Sequence, residues 1–338
     1  MLHGHGDNGY VYGREIVADF SSNVWYGGEP PGLKEHLFRQ WDRINRYPEV
    51  LAESLIPVIA RHHGLEPENI LVTAGTTESI YLLAQLYSNN ENTGIVIPAF
   101  SEYEDACRIY GHHLHFLPQP SSSSAPAASL LWIGNPNNPT GAVFPSIGTW
   151  VRQHPRTLFI VDEAYIEFTN AVPSSIRAIT SLPNLVILRS LTKAFAIPGL
   201  RLGYIAAGRA IIEKIKALKM PWSVNAMALA AGHYIFDHYE TLGLPLTNLL
   251  AERVDLVHQL RELSIKVMAS HTHFFCCETP SGTAADLQRY LLDQHGILIR
   301  DAANFRGLSP RHFRLATGTP DRNQLLINAL KEWRPQQD

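Results

Sequence analysis

The chain has 338 residues, 45% of them hydrophobic and 17% charged, with a formal net charge of −3 at pH 7. That length buries a large core and predicts two units, because single cores stop growing near roughly 250–300 residues. The slightly acidic balance gives no reason to expect a nucleic-acid partner or a membrane surface.

The N-terminus, Met1-Leu2-His3-Gly4-His5-Gly6-Asp7, carries no basic segment and no apolar run. Nowhere do about eighteen apolar residues follow one another, so neither an export signal nor a membrane span is expected. From residue 70 onward, short apolar runs alternate with amphipathic stretches, the pattern of parallel strands joined by crossover helices. Ile70 to Ala74, Gly94 to Ile97, Leu130 to Ile133, Leu158 to Val161 and Leu185 to Leu188 read as buried strands. All but the third and fourth are soon followed by a plausible helix; Thr77-Glu78-Ser79 opens one that runs to about Tyr87. The run Ser121 to Pro126 reads as a surface connector.

After Lys219-Met220-Pro221 the pattern changes. Helices are expected over about Asn225 to His238, Leu249 to Leu263 and Ala284 to Gln294, with a last one ending at Glu332. Strands are expected over His273 to Cys277, Ile297 to Arg300 and His312 to Ala316. Cys107, Cys276 and Cys277 form no C-x-x-C pair and no metal-ligand spacing, which points to a reduced cytoplasm and away from disulfides or zinc. His62-His63 and His112-His113 read as surface or capping residues near helix ends.

The residues able to carry chemistry fall at the carboxyl ends of the predicted strands, where open α/β sheets place ligands. Gly75-Thr76-Thr77-Glu78 follows a strand and opens a helix, so it is either a plain N-cap or a phosphate site at the positive helix end. Asp162 closes an apolar strand, where a carboxylate without a cation is costly. Asn135-Pro136-Asn137-Asn138-Pro139-Thr140-Gly141 is a run of turn residues. Lys193, in Ser190-Leu191-Thr192-Lys193-Ala194-Phe195, precedes Arg201 by eight positions. A hydroxyl-flanked lysine with a nearby arginine suits an aldehyde cofactor that carries a phosphate.

Together these segments resemble fold-type I pyridoxal-phosphate enzymes, in the group that holds histidinol-phosphate aminotransferases and threonine-phosphate decarboxylases. The resemblance runs from Asp19 to Thr319. It implies an α/β fold, with a large domain of mainly parallel mixed sheet flanked by helices and a smaller α+β C-terminal domain. The expected organisation is an N-terminal arm over 1–28, a large cofactor domain over 29–220 and a small domain over 221–338.

The resemblance also assigns roles. Lys193 forms a Schiff base with pyridoxal 5'-phosphate, and Gly75, Thr76, Thr77, Ser190, Thr192 and Arg201 grip its phosphate. Asp162 pairs with the pyridine nitrogen, Asn138 and Tyr165 bond the phenolic oxygen, and Phe100 stacks on the ring. Tyr47 reaches the cofactor of a neighbouring subunit, which implies a homodimer. Arg314 holds the substrate carboxylate, Arg300 with His3 the distal phosphate of a phosphorylated amino acid, and Asn23 lies near the substrate. His3-Gly4-His5-Gly6-Asp7-Asn8, Asp19-Phe20-Ser21-Ser22-Asn23 and Gly75-Thr76-Thr77-Glu78-Ser79-Ile80 resemble decarboxylase segments more than aminotransferase ones. Val24-Trp25-Tyr26-Gly27 departs from both, lacking the asparagine-proline pair.

The implied activity is decarboxylation of threonine phosphate to aminopropanol phosphate, a precursor of the cobalamin lower-ligand linker. Transamination of histidinol phosphate is the alternative, and a non-catalytic regulator is disfavoured because Lys193, Asp162 and Arg314 are all present. The two reactions differ in which Cα bond stands parallel to the cofactor π-orbitals.

Overall fold

The computed structural model describes residues 9–13, 15–88, 91–118 and 128–334. His3 and the Ser121 to Pro126 run lie outside them. Strand β1 (Ala18–Asp19) belongs to the N-terminal segment. Next come β2 (Ile70–Thr73), β3 (Asn92–Val96), β4 (His113–Leu117), β5 (Leu130–Gly134), β6 (Leu158–Asp162), β7 (Leu185–Ser190) and β8 (Gly203–Ala207). These seven form one sheet in the order β2-β8-β7-β6-β5-β3-β4, parallel except for β8, which runs antiparallel to both neighbours. Finally β9 (Lys266–Val267), β10 (Phe274–Glu278), β12 (Arg300–Asp301) and β13 (His312–Ala316) make an antiparallel sheet, while β11 (Ile297–Leu298) pairs with β1.

Both faces of the large sheet are covered, and the sequence shows why. Residues of β5 alternate between two cores: Leu131 and Ile133 face one, Leu130 and Trp132 the other. Such strands read as continuous apolar runs because side chains point alternately to two buried faces. Each fully buried Leu, Ile, Val or Phe contributes roughly 1.5–3 kcal/mol of transfer free energy. Helix Thr76–Leu86 supplies Ile80 and Leu83 to the second core. Helix Ala226–Asp237, opened by the Asn225 side chain accepting from Ala228 N–H, supplies Ala228, Ala231 and Ile235 to the first. The small sheet has its own core, in which Phe275, Phe313 and Leu315 meet Leu256, Leu260 and Leu326 of helices Leu246–Glu262 and Pro320–Glu332. Among the described residues no helix is long and apolar enough to cross a membrane.

The predicted strands and the C-terminal helices recur within a few residues of their expected bounds. Several features differ. Strands β4 and β8 were not expected: β4 is a half-exposed edge strand with two histidines, and β8, Gly-Tyr-Ile-Ala-Ala, is too rich in small residues to read as an apolar run. A seven-residue helix, Ile147–Gln153, follows the third predicted strand, where none was expected. The fifth strand leads into turns and β8 before any α-helix appears. The expected strand Ile297 to Arg300 divides, with Ile297–Leu298 serving β1 and Arg300–Asp301 serving β13.

His63 and His112 correct the surface reading, for both are buried. His112 Nε2 donates to the Ala84 carbonyl at 2.8 Å, and its Nδ1 lies 2.7 Å from the Thr93 hydroxyl. His63 Nε2 lies 2.7 Å from the Tyr204 hydroxyl, and burial with nearby arginine charge holds its pKa at about 3. Between that value and the ordinary 6.5, the unfolded chain binds a proton that the folded chain refuses, so stability falls as pH falls. Between pH 7 and 5, His63 should therefore cost about 2 kcal/mol of unfolding free energy. Denaturant titrations of the wild type and of His63→Gln at both pH values check this: the variant should lose less on acidification, and equal losses would refute it.

Candidate active site

Strands β5, β6 and β7 end beside one another, and the segments leaving them enclose a pocket. Its lining brings together Thr76, Thr77, Phe100, Asn138, Asp162, Tyr165, Thr192, Lys193 and Arg201, residues spread over 126 positions of sequence (201 − 76 + 1). Tyr103, Pro136 and Ala164 also line it.

At one end Gly75 precedes helix Thr76–Leu86 with φ +81°, a backbone conformation that favours glycine. A Cβ there would come within 2.5 Å of the Arg201 guanidinium. The glycine thus lets an arginine close over a helix N-terminus lined with Thr76 and Thr77. Arg201 itself adopts φ 60° and donates to the Pro198 carbonyl at 3.1 Å. Ser190 is buried next to the pocket, its hydroxyl 2.8 Å from that of Thr192. Free helix N–H groups, hydroxyls and a guanidinium around a glycine gap form a donor set suited to a phosphate.

At the other end Asp162 closes β6, only 6% exposed. Its Oδ1 accepts from Ala164 N–H at 2.9 Å and its Oδ2 from the Tyr103 hydroxyl at 2.8 Å. Burial pushes its pKa up, against the pull of those donors and of the Lys193 charge. A carboxylate held in this way favours a cation beside it, and a protonated ring nitrogen meets that need. Phe100 stands edge-on to Tyr103, 5.9 Å between centroids, and Tyr103 stacks on Trp132 at 5.2 Å. The pocket therefore offers a phosphate cradle, a lysine and a buried carboxylate, a set that fits pyridoxal phosphate.

Beyond Asn138 lies the second half of the site. Arg314, mid-strand in β13 and 5% exposed, donates to Asn138 Oδ1 at 2.7 Å and to the Ser21 carbonyl at 2.5 Å, while its Nε is buried with no hydrogen-bond partner among the described residues. Arg300 on β12 stands directly across the ladder from it. Arg300 donates to Asn304 Oδ1 at 2.8 Å and lies 5.4 Å from the Phe305 ring, and burial, reinforced by the Arg314 charge, lowers its pKa to about 10. Asn23 is buried, with its Nδ2 3.4 Å from the Tyr165 hydroxyl and its carbonyl accepting from His273 Nε2 at 3.2 Å. The departing segment still reaches the site through its backbone, since Trp25 N–H donates to the Lys193 carbonyl at 2.9 Å. Tyr26 anchors it by donating to Glu252 at 2.7 Å.

Tyr47 is not brought to this pocket. It is 84% exposed, its ring 5.0 Å from that of Trp222. Tyr103 is the residue that sequence reasoning missed. It lies three positions after Phe100, in the first turn of helix Ser101–Ile109, a spacing that places it on the same side as the predicted stacking residue.

The family model for aminotransferase class I and II matches residues 15–330. A threonine-phosphate decarboxylase of Salmonella typhimurium is 33% identical, over 93% of this chain and 90% of its own. A histidinol-phosphate aminotransferase of Desulfitobacterium hafniense is 31% identical, over 90% of this chain and 88% of its own. The crystal structure of L-threonine-O-3-phosphate decarboxylase from Porphyromonas gingivalis superposes with a TM-score of 0.90 at 36% identity, covering 93% of this chain and 98% of that one. The chain belongs to the aminotransferase class I and II family. It is an enzyme of the fold-type I class and depends on pyridoxal phosphate.

Tyr103→Phe removes one of the donors to Asp162, and hydrogen bonds to charged groups are worth roughly 1.5–3 kcal/mol. The dissociation constant for pyridoxal phosphate, measured by absorbance titration of the cofactor-free protein, should rise about tenfold or more. An unchanged constant would show that Asp162 does not need the phenol.

Proposed function

We propose that the protein decarboxylates L-threonine O-3-phosphate to aminopropanol phosphate. The observation that carries this reading is the pair of buried arginines, Arg300 and Arg314, facing one another across a strand ladder. Two like charges so placed repel, and an anionic ligand relieves the cost. L-Threonine O-3-phosphate brings two anionic groups to one small molecule, a carboxylate for Arg314 and a phosphate for Arg300 and His3. Histidinol phosphate brings one. Further support comes from the names of similar proteins: the Porphyromonas gingivalis decarboxylase superposes at 0.90, a histidinol-phosphate aminotransferase from Clostridium acetobutylicum at 0.84 with 28% identity.

In this reading the chain divides the work by residue. Pyridoxal phosphate, when bound, supplies an electron sink for the charge that develops at the substrate Cα. Lys193 would hold the cofactor, and its Nζ would supply the proton that takes the place of the departing carbon dioxide at Cα. Asp162 keeps a proton on the ring nitrogen, Asn138 and Tyr165 hold the phenolic oxygen, and Phe100 covers the ring face. Gly75, Thr76, Thr77, Ser190, Thr192 and Arg201 hold the cofactor phosphate. Asn23 positions the N-terminal segment against Tyr165 beside the substrate. The organisation we adopt is an arm over 1–28, a large domain over 29–220 and a small domain over 221–338. Buried thiols at Cys107, Cys276 and Cys277 suit a reducing cytoplasm.

The test is product analysis. Carbon dioxide and aminopropanol phosphate should form from L-threonine O-3-phosphate without any 2-oxo acid, and Arg300→Ala should raise KM by about one to two orders of magnitude. A requirement for 2-oxoglutarate, with glutamate accumulating from histidinol phosphate, would overturn the proposal in favour of transamination.

We also propose a homodimer. Phe38, Trp41, Tyr47, Met220 and Trp222 are large apolar or aromatic side chains left between 47% and 84% exposed in or beside the segment that holds Tyr47. Exposed apolar surface of this kind marks an interaction face, and a second copy would bring Tyr47 to the partner's cofactor phosphate. Sedimentation should report a dimer, and Tyr47→Phe should raise the cofactor dissociation constant roughly tenfold. An active monomer would refute the assignment.

A further inference from the structure

Beside the phosphate cradle lies an ion pair that no step above uses. The Lys219 side chain is fully buried, and its Nζ lies 2.9 and 3.1 Å from the two carboxylate oxygens of Glu78 and in contact with the Ser223 hydroxyl. Glu78 Oε2 in turn accepts from Ala74 N–H at 2.5 Å. Glu78 is the third residue of helix Thr76–Leu86, so it sits in the same first turn as Thr76 and Thr77, which line the pocket.

That placement creates a conflict. A carboxylate in a first helical turn is favourable by itself, because the dipole and the free N–H groups stabilise it. A phosphate dianion at the same terminus wants the same positive end, and a naked carboxylate within one turn would repel it. The turn nevertheless needs an acceptor there, since Ala74 N–H donates to Glu78 as the backbone bends into Gly75. Lysine resolves this where a second neutral acceptor would not, because it removes the charge while leaving the carboxylate oxygen on Ala74.

We propose that Lys219 is a positioning residue for the cofactor phosphate: it neutralises Glu78, so that the Gly75–Thr77 turn keeps its shape without repelling the phosphate. The inference rests on the placement of that phosphate at this turn. Its reach extends further along the chain. Lys219 and Ser223 bracket Trp222, whose N–H donates to the Val50 carbonyl at 2.9 Å and whose ring packs beside Tyr47. One five-residue segment therefore touches both the cradle and the exposed face.

The test compares pyridoxal phosphate with pyridoxal, which lacks the phosphate, by absorbance titration of cofactor-free protein. Lys219→Met should weaken pyridoxal phosphate binding about tenfold or more and pyridoxal binding little. Adding Glu78→Gln to that variant should restore most of the loss, because Gln still accepts from Ala74 N–H and carries no charge. Two results would overturn the proposal: equal losses for the two ligands in Lys219→Met, or no recovery in the double variant. Arg201→Met serves as the reference. If it lowers the preference for the phosphorylated ligand and Lys219→Met does not, the lysine assignment falls alone; if it leaves the preference unchanged, the phosphate lies elsewhere and both readings fall.

Discussion

An ionised carboxylate at the inner end of a strand buried on both faces is costly, and Asp162 occupies that position. Much of the site follows from meeting this cost. The β6 strand that carries it is flanked by β5 and β7, so the turns leaving those strands are the nearest polar surroundings available. Tyr103 and Ala164 N–H supply two hydrogen bonds, and the remaining need is for positive charge, which Lys193 meets in part. In the proposed reading a cationic ring nitrogen would complete the arrangement. The carboxylate is thus a costly group in the large sheet, and a protonated ring nitrogen would suit it.

The same economy of charge recurs in the second half of the pocket. Arg314 has Asn138 and a backbone carbonyl as its partners, neutral acceptors that orient the guanidinium without cancelling it. Arg300 is likewise held by an amide oxygen. A guanidinium held by neutral acceptors, as Arg314 is by Asn138 and Ser21, keeps its attraction for an anion. Elsewhere, where binding is not at stake, the chain pairs its buried charges directly, as with Arg189 between Glu163 and Glu167.

The parts of this arrangement that were legible in the sequence are those written in contiguous residues. The buried strands show as apolar runs, the phosphate turn as Gly-Thr-Thr, the lysine by its flanking hydroxyls. The pocket then unites nine of the residues named from those motifs, which a chance set of turn sequences would not do. What stayed hidden depends on contacts between distant segments. Strand β8 shows no apolar signature because its neighbours, β2 and β7, supply the bulk, and Tyr103 reads as an ordinary helix residue until Asp162 is beside it. The Lys219–Glu78 pair joins positions 141 apart, and neither residue is distinctive by itself. His63 misled for a related reason: a histidine at a helix end looks solvated unless the strand bearing Tyr204 is known to cover it.

The N-terminal segment has a consequence for how the molecule is made. Ala18 pairs with Ile297, Phe20 fills the core of the small sheet, the Ser21 carbonyl receives Arg314, and Trp25 grips the loop of Lys193. These are partners synthesised long after the segment itself has left the ribosome. Contacts across so many residues close a long loop and form late. Until the strands near 297 and 314 emerge, Ala18 has no strand to pair with, Phe20 has no small-sheet core to fill, and the Ser21 carbonyl has no guanidinium to accept from. Assembly of the site is therefore a terminal event of synthesis: a chain interrupted before the last small-sheet strand can bury much of its large sheet, yet it lacks Arg314 and the bonds that tie it to Ser21 and Asn138.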